Sequence, residues 1–282
     1  MTTVETTQSA PGRRRNPSLV WISRYGTLVA FIVLILFNIA VTPNFLSLQT
    51  LNVNLTQVAA IVIVAVGMTL VIATGGIDLS VGSLMAIAGA LAPMIFLGTI
   101  VPIASPALAV GLAFVLPVVV VALFGWFNGM LITRYRIQPI VATLVLFIAG
   151  RGIAQVMTNG NLQVFRNESF QFIALGRLFG IPVQVIIMAV VVAAAAFLIH
   201  RTVVGRHILA VGGNEKAARL AGIPARRVKW LVYTISGALS GIAGLIVVAR
   251  NSASDANLVG LGMELDAIAA VAVGGTLLTG GR

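Results

Sequence analysis
The sequence predicts an all-α polytopic membrane protein, a bundle of about eight transmembrane helices with its N-terminus in the cytoplasm. Three observations predict it. Of 282 residues, 59% are hydrophobic and only 9% charged, whereas a soluble domain carries roughly 25% charged residues. The apolar residues gather into runs near the ~20 residues a helix needs to cross the hydrocarbon core of a bilayer. The basic residues, finally, crowd into alternate loops, the pattern by which a multi-spanning chain sets its orientation.

Taken in order, residues 1–24 read as a disordered basic tail containing Arg13, Arg14 and Arg15. Arginines ahead of an apolar run also fit a signal peptide, but no small-x-small cleavage site follows, so 25–41 reads as an uncleaved first span. The next spans are expected at 53–74, 81–101, 107–132, 139–157, 181–199 and 230–248. The eighth, 265–278, is short. Residues 25–282 thus form one transmembrane domain. Its cytoplasmic loops hold Arg24 and the tail arginines, Arg134 and Arg136, the seven Lys and Arg from Arg201 to Lys229, and Arg282. The outer loops hold only Arg166, Arg177 and Arg250. The net charge of +11 is therefore an address for topology and not a nucleic-acid surface.

The loop at 200–229 is the largest cytoplasmic segment, and it contains a punctuated helix. Asn214 is placed to cap its N-terminus, Glu215 falls in the first turn, Gly222 stops it and Pro224 follows. Basic residues then lead directly into the seventh span. A short helix hinged to a span is suited to pass motion from a soluble partner into the bilayer, and a plain basic loop that only fixes orientation is the alternative. Within the spans, Gly237, Gly241 and Gly244 share one stripe beside Ser236 and Ser240, and Gly82, Ala86 and Ala90 form another. Such stripes let helix backbones approach closely in lipid.

Two places carry polar chemistry. In ATGGIDLSVGS (73–83) a pair of glycines breaks the helix, and Asp78 or Ser80 is placed to cap the next one. The segment is either a tight turn or a discontinuous helix whose freed backbone meets a polar solute. Arg151, Gln155 and Thr158 share a helix face flanked by Phe147. That face either meets a hydroxylated ligand or is neutralised by pairing of Arg151 with Glu264 or Asp266. Asn128, beside Trp126 and Phe127, is a further polar group within a span. The candidates for a solute path are thus Asp78, Ser80, Asn128, Phe147, Arg151 and Gln155. Enzyme chemistry is not expected. The chain has no cysteine, His200 and His207 lack a third metal ligand nearby, and neither a phosphate-binding loop nor a hydrolase signature occurs.

The segments GMTLVIATGGIDLSVG (67–82), IQPIVATLVLFIAGRGIAQ (137–155), GGNEKAARLAGI (212–223) and ELDAIAAVAVGG (264–275) resemble the permease subunits of bacterial ATP-binding-cassette sugar importers. The resemblance falls in the ribose, xylose, galactose and galactofuranose group and is nearest to a galactofuranose-type permease. It runs in order from about residue 52 to the end. It implies a multi-pass protein of the bacterial inner membrane that moves a monosaccharide, without cofactor or catalytic residues of its own. The implied partners are a cytoplasmic ATPase subunit that binds the ATP, a periplasmic sugar-binding protein and a second permease copy, identical or different. It further implies that Glu215, Ala217, Ala218 and Gly222 couple the chain to the ATPase, with Lys216 departing from the family's double alanine after the acid. Family members usually have about ten spans, so a C-terminally short chain is expected. The competing readings are a permease for another small solute, such as branched-chain amino acids, a secondary transporter independent of ATP, and a non-transporting scaffold.

Overall fold
The computed structural model describes residues 17–100 and 102–281. Most of the expected basic tail, residues 1–16, lies outside the described residues. The chain divides into two compact units, residues 1–51 and 52–282. The first contains α1 (Pro17–Val41), which begins earlier than expected and takes in residues 17–24. Pro17 stands at its first position, where a missing N–H costs nothing. A turn follows in which Asn44 adopts φ 59°.

The second unit is the helical bundle. Its long apolar helices are α2 (Leu48–Ala73, from residue 52 on), α4 (Pro106–Arg134), α5 (Pro139–Met157), α7 (Val183–Arg201) and α10 (Ala225–Asn251). These five are long and apolar enough to cross a membrane, and shorter apolar helices accompany them. Each of the eight expected spans corresponds to a helix. Two are shorter than the sequence suggests. α3 (Val81–Phe96) stops at Leu97 because Gly98 turns left-handed at φ 71°. α11 (Met263–Val273) has 11 residues and ends at Gly274, before Gly275 at φ 89°. At 1.5 Å per residue α11 spans only ~16 Å, about half the hydrocarbon core.

α3, α4 and α10 form the centre. α10 crosses α4 antiparallel, with Gly129 against Trp230, Gly125 against the Tyr233 carbonyl, and Gly237 and Gly241 against Val121 and Val118. A Cβ on Gly237 would lie 2.5 Å from Val121 O, and one on Gly244 2.6 Å from Met85 O. The helices therefore touch backbone to backbone, which replaces the hydrophobic drive that lipid removes. α10 runs parallel to α3, with Tyr233 beside Gly76, Gly244 beside Met85 and Val248 beside Gly89.

Between the spans lie smaller elements, of which the sequence reading foresaw only the short helix capped by Asn214. On the outer side these are β1 (Gln163–Val164), α6 (Glu168–Leu175) and a hairpin of β2 (Arg177–Leu178) and β3 (Ile181–Pro182). β4 (Ala253–Ser254) pairs antiparallel with β1. Phe96 packs on Phe165 and Phe170, and Phe114 stacks on Phe170, with centroids about 5 Å apart. On the inner side are α8 (Val203–Gly213) and α9 (Glu215–Leu220).

Candidate functional site
The break after α2 builds a polar knot. Gly75 turns at φ 77°, which only glycine adopts readily, and the chain crosses to α3 through Ile77 and Asp78. The Asp78 carboxylate accepts from Ser80 N at 3.0 Å and Ser80 Oγ at 2.5 Å through Oδ1, and from Ser236 Oγ at 2.8 Å through Oδ2. Ser80 Oγ in turn accepts from Asn128 Nδ2 at 3.1 Å. Thr143 Oγ1 and Tyr233 OH both reach the Ile77 carbonyl at 3.4 Å. One acid thereby ties the α2–α3 junction to α4 and α10. Asp78, Ser80 and Asn128 expose no surface at all, so a solute reaches them only if the helices part. Ser80 occupies the cap position of α3 without a side-chain cap bond, and the Asp78 carboxylate satisfies its N–H instead. Asn128 Oδ1 has no hydrogen-bond partner among the described residues.

Arg151 builds the second site. Its expected partners Glu264 and Asp266 are not bonded to it, and among the described residues it forms no ion pair. Its Nη1 instead donates to two backbone carbonyls, Ala256 O at 2.9 Å and Val259 O at 2.6 Å. One turn on, Gln155 Nε2 donates to Asn257 Oδ1 at 2.7 Å. The bonded segment leaves α10 at Ser252 (φ 53°) and folds back along α3. Ser254 and Val259 lie against Gly89, and the Gly260 carbonyl meets Gly82, so the segment retreats by about 10 Å along the helix. Gly260 and Gly262, at φ 71° and 76°, then start α11 beside the first turn of α3. α11 begins at membrane depth and not at the outer face, because residues 252–262 re-enter the bundle. Glu264, in its first turn, is 7% exposed, and its Oε2 has no partner. Thr158 bonds back to its own helix at Ala154 O, and Phe147 is half-buried.

The third site lies in the 200–229 segment, on the side where the basic loops of the sequence gather. Asn214 caps α9 by accepting from Ala217 N at 3.0 Å, and Gly222 at φ 80° ends the turn after it. Glu215 is held at 2.7 Å by Lys229 of α10 and at 2.5 Å by Arg219. Partial burial pushes the Glu215 carboxyl up, but hydrogen bonds and charge from Lys229 and Arg219 outweigh that and hold it below its ordinary value. Ala218 is buried against Ala225 and Val228. Ala217 and Gly222 face outward, and Leu220, which sequence reasoning did not single out, is 91% exposed. A cavity of about 630 Å³ opens beside α9, lined by Thr74, Gly75, Gly212, Lys216 and Arg219 among others. Its floor is shared with α2, since Gly212 of α8 lies directly against the Ala73 carbonyl.

The arrangement is a helical bundle with a re-entrant segment held from α5 and a cytoplasmic knob ion-paired to the base of α10. Residues 50–281 match the family described as branched-chain amino acid transport system / permease component. The chain is 42% identical to the ribose import permease protein RbsC of Escherichia coli K12, over 98% of this chain and 84% of that protein. It is 40% identical to the galactofuranose transporter permease protein YtfT of the same organism, over 93% and 77%. It is 38% identical to the fructose import permease protein FruF of Bifidobacterium longum, over 91% and 74%. No solved structure matches it. With a family match over residues 50–281 and sugar-permease relatives about 40% identical over nearly its whole length, the chain belongs to the permease family of ATP-binding-cassette sugar importers.

Proposed function
We propose that this inner-membrane permease pairs with a second permease copy and passes a monosaccharide between them, driven by a cytoplasmic ATPase that docks on α9. As a permease component it does no covalent chemistry and carries no cofactor. ATP is consumed by the partner, and a periplasmic binding protein delivers the sugar. The observation that carries this reading is the knob. Its inner face is fixed by Ala218 and by the Glu215–Lys229 ion pair, while Ala217, Leu220 and Gly222 are left outward, with Leu220 almost fully exposed in the aqueous phase. An apolar side chain presented on a braced helix is the form of a docking surface. Lys229 connects that surface to the base of α10, so a push on α9 is delivered to the central helix.

Among the path candidates, Arg151 and Gln155 bond to the re-entrant segment, and we assign these two, with Phe147 one turn before Arg151 on α5, to the route. Asp78, Ser80 and Asn128 we assign to positioning. Ribose and galactofuranose are the first sugars to try, since identities of 42% and 40% give neither precedence. The test is co-purification with the ATPase and ATP-driven sugar uptake in proteoliposomes for Leu220→Asp and Glu215→Ala. Loss of both signals in a folded protein is expected. Unchanged association and uptake would overturn the docking assignment.

A further inference from the structure
The outer surface carries an apolar edge that the bundle does not use. Along α6 the buried residues are Phe170 and Ala174, which dock on the aromatic cluster. On its other side Phe172 and Leu175 are 48% and 56% exposed. The chain then tightens at Gly176, packed against the Phe172 ring, and enters the β2–β3 hairpin. There Leu178 and Ile181 are about half exposed, and Phe179 is completely exposed. The hairpin turns through Phe179 and Gly180 with φ of 53° and 80°. Two left-handed residues define a turn that normally takes Asn-Gly, so a bulky aromatic at the first position is costly locally. Among the described residues nothing packs on Phe179 to compensate for it.

The depth of this edge is fixed by its neighbours. α6 is packed against Phe96, the last residue of α3, and Phe114, about two turns inside α4. Gln171 Nε2 donates to Ser252 Oγ just beyond the outer end of α10. Gln184, in the first turn of α7, donates to Ala174 O at 2.8 Å. α6 and the hairpin therefore lie level with the outer ends of four helices, at the edge of the hydrocarbon. The hairpin also runs directly into α7, a strongly apolar span with only 11% of its residues buried, so the helix it joins presents apolar surface that the bundle does not cover.

We propose that Phe172, Leu175, Leu178, Phe179 and Ile181 form an interfacial anchor inserted at the boundary between headgroups and acyl chains of the outer leaflet, with Arg177 at the phosphate level. The occupant is phospholipid. Aromatic and aliphatic side chains flanked by a cation suit that layer, and the edge continues the uncovered apolar surface of α7. The anchor secures the outer segment 158–182 against the membrane plane beside the re-entrant loop.

The absence of cysteine makes a direct test simple. Nitroxide labels are placed singly at Leu175→Cys and Phe179→Cys. Glu168→Cys, whose native side chain is 87% exposed, serves as the aqueous reference. The permease is reconstituted with its ATPase subunit in phospholipid nanodiscs, and collision with oxygen is compared with collision with a water-soluble nickel chelate. Both edge positions should favour oxygen several-fold over the reference, and saturating sugar-binding protein should leave that ratio unchanged. Three results would overturn the proposal: edge labels as aqueous as position 168, labels shielded from both reagents, or shielding that appears only with the binding protein. The last would make the edge a protein-docking surface. Two independent label sites keep the test decisive if one variant folds poorly.

Discussion

Glu215 bonds two cations at once, and the outcome at this one carboxyl decides whether α9 stays attached to α10. Burial alone would raise its pKa from the ordinary 4.5, but Lys229 and Arg219 bring it below that value. A depressed folded pKa means that the stabilisation is fully present above about pH 4.5 and is lost as pH falls through the lowered value. We expect Lys229→Met to make the 214–224 segment more protease-sensitive already at pH 6 and to flatten the further rise towards pH 4, because the cation that depresses the Glu215 pKa is gone. A profile identical to wild type would show that the ion pair does not hold the knob. Glycines give a second residue-scale prediction. At Gly244 a Cβ meets the Met85 backbone at 2.6 Å, whereas at Gly111 nothing lies within 4 Å. Gly244→Val should cost on the order of 1–3 kcal/mol, the range for overpacking a tight interface, and lower the melting temperature in detergent. Gly111→Ala should leave it unchanged or slightly raised.

Among the elements, the re-entrant segment depends most on a single side chain. Arg151 supplies hydrogen bonds to both Ala256 O and Val259 O. Arg151→Met would leave two carbonyls to find other donors, at about 1–3 kcal/mol for each one that stays buried and unpaired. Amide hydrogen exchange across 252–262 should accelerate markedly, while α4 and α10 keep their protection. Exchange that rises throughout the bundle would instead make Arg151 a global prop. This element also marks the limit of what could be read from the sequence. α9 was legible because its stop and start signals are local: Asn214, Glu215, Gly222 and Pro224 lie within eleven residues. The long spans were legible because hydropathy needs no partner. Alternation of the spans, with Arg250 in an outer loop, puts the start of the eighth span at the outer face, and nothing in ELDAIAAVAV reports its depth. The information is held by Gly82, Arg151 and two left-handed glycines, up to about 180 residues away in the chain. Arg151 itself stood out by its cost in hydrocarbon. Its partners did not, because backbone carbonyls have no sequence signature. Asp78 was likewise visible, but its bond to Ser236 spans 158 residues.

Across the whole molecule, these contacts form one mechanical route. The knob is bonded to α10 through Lys229 and packed under α2 through Gly212 and Ala73. Both helices then meet at the polar knot, where Asp78 joins the end of the α2 break to Ser236 of α10. α3 starts from that knot and carries Gly82, the contact on which Gly260 and α11 rest. We propose that movement of α9 reaches the re-entrant segment by way of Asp78, since packed helices that have two arrangements can transmit such a step. Ser236→Ala removes the only donor to Asp78 Oδ2 among the described residues and leaves the α10 backbone contacts in place. A purely structural role predicts lower stability with an unchanged ratio of ATP hydrolysed to sugar imported. Transmission through the knot predicts that the variant still assembles with the ATPase while the ratio rises several-fold, because hydrolysis continues as import falls. Reconstituted vesicles assayed for phosphate release and sugar uptake together separate the two. A normal ratio with intact uptake would place the route elsewhere, along the Gly125–Gly237 contact between α4 and α10.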